Sequence, residues 1–131
     1  MTEPLIVITA DNGRPHTMNT MRREHAQVSG KKIHATRELW GWLGIEHKVR
    51  SHRLDQVTID VTPLHRDGRS PQDIVGCAPE AKAAIDGLVD AGLIPDDNPK
   101  HLRLVTFHPP RICGIDGLEL AVYNAQEGAE P

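Results

Sequence analysis

Aromatic side chains are scarce in this sequence: one Phe, one Tyr and two Trp make up 3% of its 131 residues. That excludes a surface built from successive stacking platforms, the device by which single-strand nucleic-acid binders hold bases, and it leaves the core to aliphatic residues. Cysteine is equally sparse. Cys77 and Cys113 form no metal-ligand pattern and, with no secretory leader, give no disulfide framework, so both are expected reduced. Long hydrophobic runs are missing as well. Leu5 to Ala10 is the apolar run nearest the N-terminus; it is too short for export or membrane spanning and has no basic segment ahead of it. No membrane partner is expected. No nucleophilic triad, P-loop or Gly-rich dinucleotide fingerprint is present, so no nucleotide cofactor is expected either. His16, His25 and His34 are spaced too irregularly for a zinc motif.

What remains is an ordinary globular composition, 38% hydrophobic and 25% charged, in a length that suits one domain with one core. The net charge of -3 is unevenly spread. Residues 1 to 53 hold nine Lys/Arg against five Asp/Glu, and residues 54 to 131 hold six against thirteen. A basic part beside an acidic part suits a protein that contacts phosphates with one region and binds cations with the other.

Hydrophobic periodicity orders the chain. Leu5 to Ala10 reads as a first strand closed by the Asp11-Asn12-Gly13 turn signal. Arg14 to Gly30, polar and without period, reads as an ordered loop. Ile33, Leu39, Trp40, Leu43 and Ile45 recur at loose helical spacing and predict a helix over Lys31 to Lys48, with Gly41 and Gly44 as weak points. Gln56 to Leu64 alternates Val57, Ile59 and Val61 with Thr58, Asp60 and Thr62, the period of a half-buried strand. Arg66 to Pro71 is a polar loop. Ala81, Ala84, Ile85, Leu88 and Val89 form one stripe of a helix over Ala78 to Ala91, and Gly92 fits its C′ position. Leu102 to Phe107 and Leu118 to Tyr123 are further strands, and the residues from Asn124 on read as a frayed tail. The order β-α-β-α-β-β predicts an α+β domain over 1–124, helices packed on a small mixed sheet, with a tail over 125–131.

One stretch is far more specific than periodicity. From Lys82 the sequence reads Lys82-Ala83-x-x-Asp86-Gly87-Leu88-x-x-Ala91-Gly92-x-x-x-Asp96-Asp97. It resembles, without a gap, the signature of the RusA-like Holliday junction resolvases, with Asp73 ahead of the helix and Asp97 behind it. Thr17 to His25, containing Asn19, Arg22 and Arg23, is similar to the Arg- and His-rich segment after that family's first strand. The departures fit a divergent phage or actinobacterial-type member. The resemblance implies a homodimer that cuts branched DNA, with Mg²⁺ as cofactor and Mn²⁺ as substitute; the short N-terminal apolar run leads us to expect a cytoplasmic location, the host's if the chain is phage-encoded.

The resemblance further implies that Asp73, Asp96 and Asp97 hold the metal, which suits the preference of Mg²⁺ for hard carboxylate oxygens. Catalysis would fall to Asp73, Lys82 and Asp97, the lysine stabilising charge on the scissile phosphate. A helix over Ala78 to Ala91 is about 20 Å long, so acids at its two ends meet only if the chain after it doubles back, as the resemblance implies. The sequence departs from the pattern ahead of the helix: Val75 stands where a second Asp is expected and Gly76 where Asn is expected. Valine cannot coordinate a cation, and Glu80 and Asp86 are the candidates to supply the oxygen or a supporting acid. Asp90 is read as solvent-facing. Asn19, Arg22, Arg23, His25, Lys31 and Lys32, with Arg37, are the candidate DNA contacts. Two other functions fit the same residues: a DNA-binding protein that has lost cleavage through Val75 and Gly76, and a protein that engages a host factor.

Overall fold

The computed structural model describes residues 3–11, 13, 26–68 and 76–125, the side chains of 26–29 excepted. The fold is α+β: a mixed five-stranded sheet and two helices. Strand β1 (Ile6–Ala10) is followed by helix α1 (Ala26–Glu46), a 3₁₀ turn (Val49–His52), β2 (Val57–His65), α2 (Ala78–Asp90), β3 (Leu102–Phe107), the short β4 (Arg111–Ile112) and β5 (Gly117–Asn124). The spatial order is β1-β5-β2-β3, with β4 also on β2. β5 runs antiparallel to both β1 and β2, while β3 and β4 run parallel to β2.

Alternation decides which face is covered. Val57, Ile59 and Val61 of β2, Leu118, Leu120 and Val122 of β5 and Ile6, Ile8 and Ala10 of β1 are buried, and they join Trp40 of α1 and Ala81, Ala84, Ile85 and Leu88 of α2 in one core. The unpredicted β4 has a local cause. Pro63 lacks an N–H for a ladder, and opposite it the partner strand leaves β2 through His108-Pro109-Pro110 before rejoining at Leu64↔Arg111. His108 N still donates to Val61 O at 2.9 Å and Cys113 N to His65 O at 3.0 Å, so the ladder is interrupted rather than ended.

Four expectations need correction. Residues 26–30 are helical, not loop. At and just after their end Gly30, Lys31, Lys32, His34 and Ala35 are exposed and only Ile33 is half-buried, so little apolar stripe runs toward this end of α1. The remainder of the expected loop, 14–25, lies outside the described residues. Gly41 and Gly44, expected as weak points, sit at the contact with α2: a Cβ on Gly44 would lie 2.7 Å from Ala91 Cβ, and one on Gly87 of α2 would lie 2.4 Å from Arg37 O and 2.8 Å from both Gly41 N and Trp40 Cβ, so small residues let the helix backbones approach. Asn124 belongs to β5 and Ala125 N donates to Gln56 O at 2.9 Å, so the sheet extends past the expected start of the tail; residues 126–131 lie outside the described set. Ile45, assigned to the apolar stripe of α1, points outward.

Candidate active site

Helix α2 starts with Pro79 in its first turn, where a missing N–H costs nothing, and ends in a Schellman motif: Gly92 at φ +98° donates from its N–H to Val89 O, and Leu93 donates to Leu88 O. Leu93 and Ile94 are then buried, which turns the chain back toward the helix instead of away from it. The consequence is the contact that matters most here. Asp97 returns to the middle of α2, where its Oδ2 accepts a hydrogen bond of 2.8 Å from Lys82 Nζ, 15 residues earlier.

Lys82 also donates to Asp86 Oδ1 at 2.7 Å. The two carboxylates flank one ammonium on a face open to solvent, with 64% of the Lys82 side chain exposed against 20% of Asp86 and 35% of Asp97. Hydrogen bonds to Asp86 and then Asp97 hold the lysine pKa above its ordinary value, and the Lys82 ammonium holds that of Asp97 below the usual carboxylate range. Lys82, Asp86 and Asp90 succeed one another at steps of four and so share a ridge of the helix. Asp90 is not simply solvent-facing: Arg37 of α1 donates to it twice, from Nε at 2.7 Å and from Nη2 at 2.8 Å, in the fork geometry suited to a carboxylate. Its pKa is lowered by that guanidinium. The ridge and its partners thus place three carboxylates beside two cations, a local charge of about -1 with both cations engaged.

Of the residues expected in the site, Lys82, Asp97 and Asp86 come together. Asp96 does not join them: its Oδ1 accepts from Asp97 N at 2.8 Å and its Oδ2 from Asn98 Nδ2 at 3.1 Å, so it shapes the turn that delivers Asp97. Glu80 is ruled out as the substitute oxygen. Two residues before Lys82 it points to the opposite side of α2, where it is 4% exposed and accepts from Thr36 Oγ1 of α1 at 3.3 Å. Asp73, Val75, Asn19, Arg22, Arg23 and His25 lie outside the described residues. Lys31 and Lys32 are exposed on the first turns of α1. Arg37, expected to meet DNA, is committed to Asp90. Sequence reasoning missed the Arg37–Asp90 pair because its members are 53 residues apart; the available signal was the step of four from Lys82 through Asp86 to Asp90.

Among the described residues no three His, Cys, Asp or Glu side chains converge as a ready metal cage. Two carboxylates still fit Mg²⁺, which is commonly held by one or two such groups and keeps several waters. Asp86 and Asp97 are the pair the fold supplies. The sequence matches no protein-family model and no curated protein.

Proposed function

We propose that the chain is a RusA-like endonuclease that binds branched DNA, Holliday junctions first among them, as a homodimer and hydrolyses a backbone phosphate with Mg²⁺. The observation that carries this reading is the return of Asp97 to Lys82 and Asp86. A solvated helix lysine needs no acid delivered from the next segment, whereas phosphate hydrolysis needs carboxylates and a cation on one open face. Asp86 and Asp97 are the residues to hold the ion, with Asp86 in place of the oxygen missing at Val75. Bound there, Mg²⁺ supplies a positive charge against the phosphate and makes a water more acidic. Lys82 has three donors, of which two are committed to Asp86 and Asp97, so the third is available for a phosphate oxygen. It positions both acids and meets the charge that grows on the phosphate in the transition state.

The test is cleavage of a labelled four-way junction in Mg²⁺ and in Mn²⁺. Nicking that Asp97→Asn abolishes supports the reading, and a junction left intact across both titrations overturns it. Val75 and Gly76 favour a second reading, a protein that binds branched DNA and leaves it uncut. It requires junction binding that persists without metal and in Asp73→Ala, and a gel shift with no preference for branched over linear DNA removes it.

A further inference from the structure

Lys82 and Arg37 are both engaged with carboxylates and the acid ridge keeps a local charge of about -1, so most of the attraction for a polyanion must come from cations elsewhere. We infer that the turn from His47 to Arg53 is a second phosphodiester-binding surface, which grips an arm of the DNA away from the point of cleavage. This inference rests on the DNA reading above.

The turn reads His47-Lys48-Val49-Arg50-Ser51-His52-Arg53 and contains no acid. Lys48, Arg50 and Arg53 are exposed, and among the described residues their side chains make no ion pair or hydrogen bond. Arg37, Lys82 and Arg111, in contrast, each face a carboxylate. Asp55, the first acid after the turn, sits 3.3 Å from His101 Nδ1. The three cations are held on a defined backbone. Val49 is fully buried as a peg, Ser51 donates to Lys48 O from both N (3.0 Å) and Oγ (2.6 Å), and Arg53 N donates to Arg50 O at 3.1 Å.

Lys48 at φ 55° and Arg53 at φ 51° occupy the left-handed region, which Asn or Gly fills with less strain. Two long cationic side chains are thus kept where local backbone preference argues against them, as is common at functional positions. The turn is also fixed relative to the acid site. A Cβ at Gly92 would meet the Arg50 stem at 3.0–3.2 Å, so the arginine lies across the very residue that turns the chain back toward Asp97. Lys82 and Gly92 are about 15 Å apart along the axis of α2, roughly four or five nucleotide steps of one DNA strand. An arm held at the turn would place a phosphate near Lys82 several nucleotides away.

The test is the triple variant Lys48→Asn/Arg50→Gln/Arg53→Asn. Asn suits the left-handed backbone, and Gln retains the stem that covers Gly92. Binding to a labelled four-way junction is followed by anisotropy between 50 and 200 mM salt, in EDTA and in Mg²⁺. The expected result is a Kd raised about tenfold or more and a log–log salt slope reduced by about 0.9 for each lost phosphate contact, up to about 2.7 for three. The charge-keeping variant Lys48→Arg/Arg50→Lys/Arg53→Lys is expected to retain the parent slope; a loss there equal to that of the triple variant overturns the inference. A triple variant that binds within twofold of a junction-binding parent, at an unchanged slope, overturns it and leaves the cleavage reading standing. A parent that binds no DNA in either buffer overturns both.

Discussion

Replacing Gly87 with Ala sets two effects of opposite sign against each other. Intrinsic helix propensity favours Ala over Gly by about 1 kcal/mol in a helix interior, so on local grounds the change stabilises α2. Against this, the added Cβ would stand 2.4 Å from Arg37 O and 2.8 Å from Gly41 N and Trp40 Cβ. Two of these neighbours are backbone atoms, so no rotamer change relieves them and α1 must move off α2. Overpacking of a tight core contact costs about 1–3 kcal/mol, and Trp40, fully buried on α1, would lose part of its contact with the core. Contacts of 2.4 and 2.8 Å with backbone put the cost at about 2–3 kcal/mol, so after the gain of about 1 kcal/mol the expected net is a destabilisation of about 1–2 kcal/mol, or roughly 4–8 °C in Tm at this chain length. Gly30→Ala is the matched control, because a Cβ at that helical position meets nothing within 4 Å among the described residues, which leaves propensity as the acting term. Thermal unfolding followed by circular dichroism should therefore lower Tm for Gly87→Ala and leave it unchanged or raised for Gly30→Ala. A Gly87→Ala protein as stable as its parent would refute the close helix approach, and with it the placement of Arg37 beside Asp90.

Lys82→Ala should abolish junction cleavage while lowering stability by less than about 1 kcal/mol, because exposed ion pairs contribute little; cleavage within twofold of the parent in single-turnover assays would remove the lysine from the mechanism. Val75→Asp with Gly76→Asn should raise the Mg²⁺-dependent cleavage rate by about tenfold or more if a missing ligand limits it, and an unchanged rate in an active parent would mean that Asp86 already fills the role. In acid, the depressed carboxylates set the behaviour. Arg111 lowers the pKa of Glu119, Arg37 that of Asp90 and Lys82 that of Asp97, so their stabilisation is present above the ordinary carboxylate range, near pH 4, and is lost as pH falls through the lowered folded values. Thermal melts at stepped pH should show these pairs adding no slope between about pH 6 and 8, and Glu119→Gln should flatten the acid limb more than Asp90→Asn, because Glu119 is the more sheltered of the two.

The elements legible in the sequence are those whose burial follows a simple period. β2 could be read because its buried Val57, Ile59 and Val61 alternate with half-buried Thr58, Asp60 and Thr62. α2 could be read because Ala81, Ala84, Ile85 and Leu88 make one stripe facing the sheet. The stretch of α1 from Gly30 to Ala35 offers little to read, since Gly30, Lys31, Lys32, His34 and Ala35 are exposed and only Ile33 is half-buried. The second buried side of α2, with Gly87 and Glu80 against α1, was equally hidden, because the close approach of two helices depends on small and polar residues that a hydrophobic stripe does not register.

The site divides along the same line. Lys82 and Asp86 are four residues apart on one helix, so their pairing follows from local geometry. Asp97 beside them does not: a helix of thirteen residues separates its ends, and only the left-handed Gly92 with buried Leu93 and Ile94 sends the chain back. The adjacent acids Asp96 and Asp97 are indistinguishable in sequence, yet one caps its own turn and the other reaches the lysine. A motif therefore identifies which acids matter as a group, and hydrogen bonds made by the backbone decide which one is delivered. Arg37 looks basic in the sequence but is spent on Asp90, and the cations left for a polyanion include those on the turn after α1, where no carboxylate among the described residues meets them.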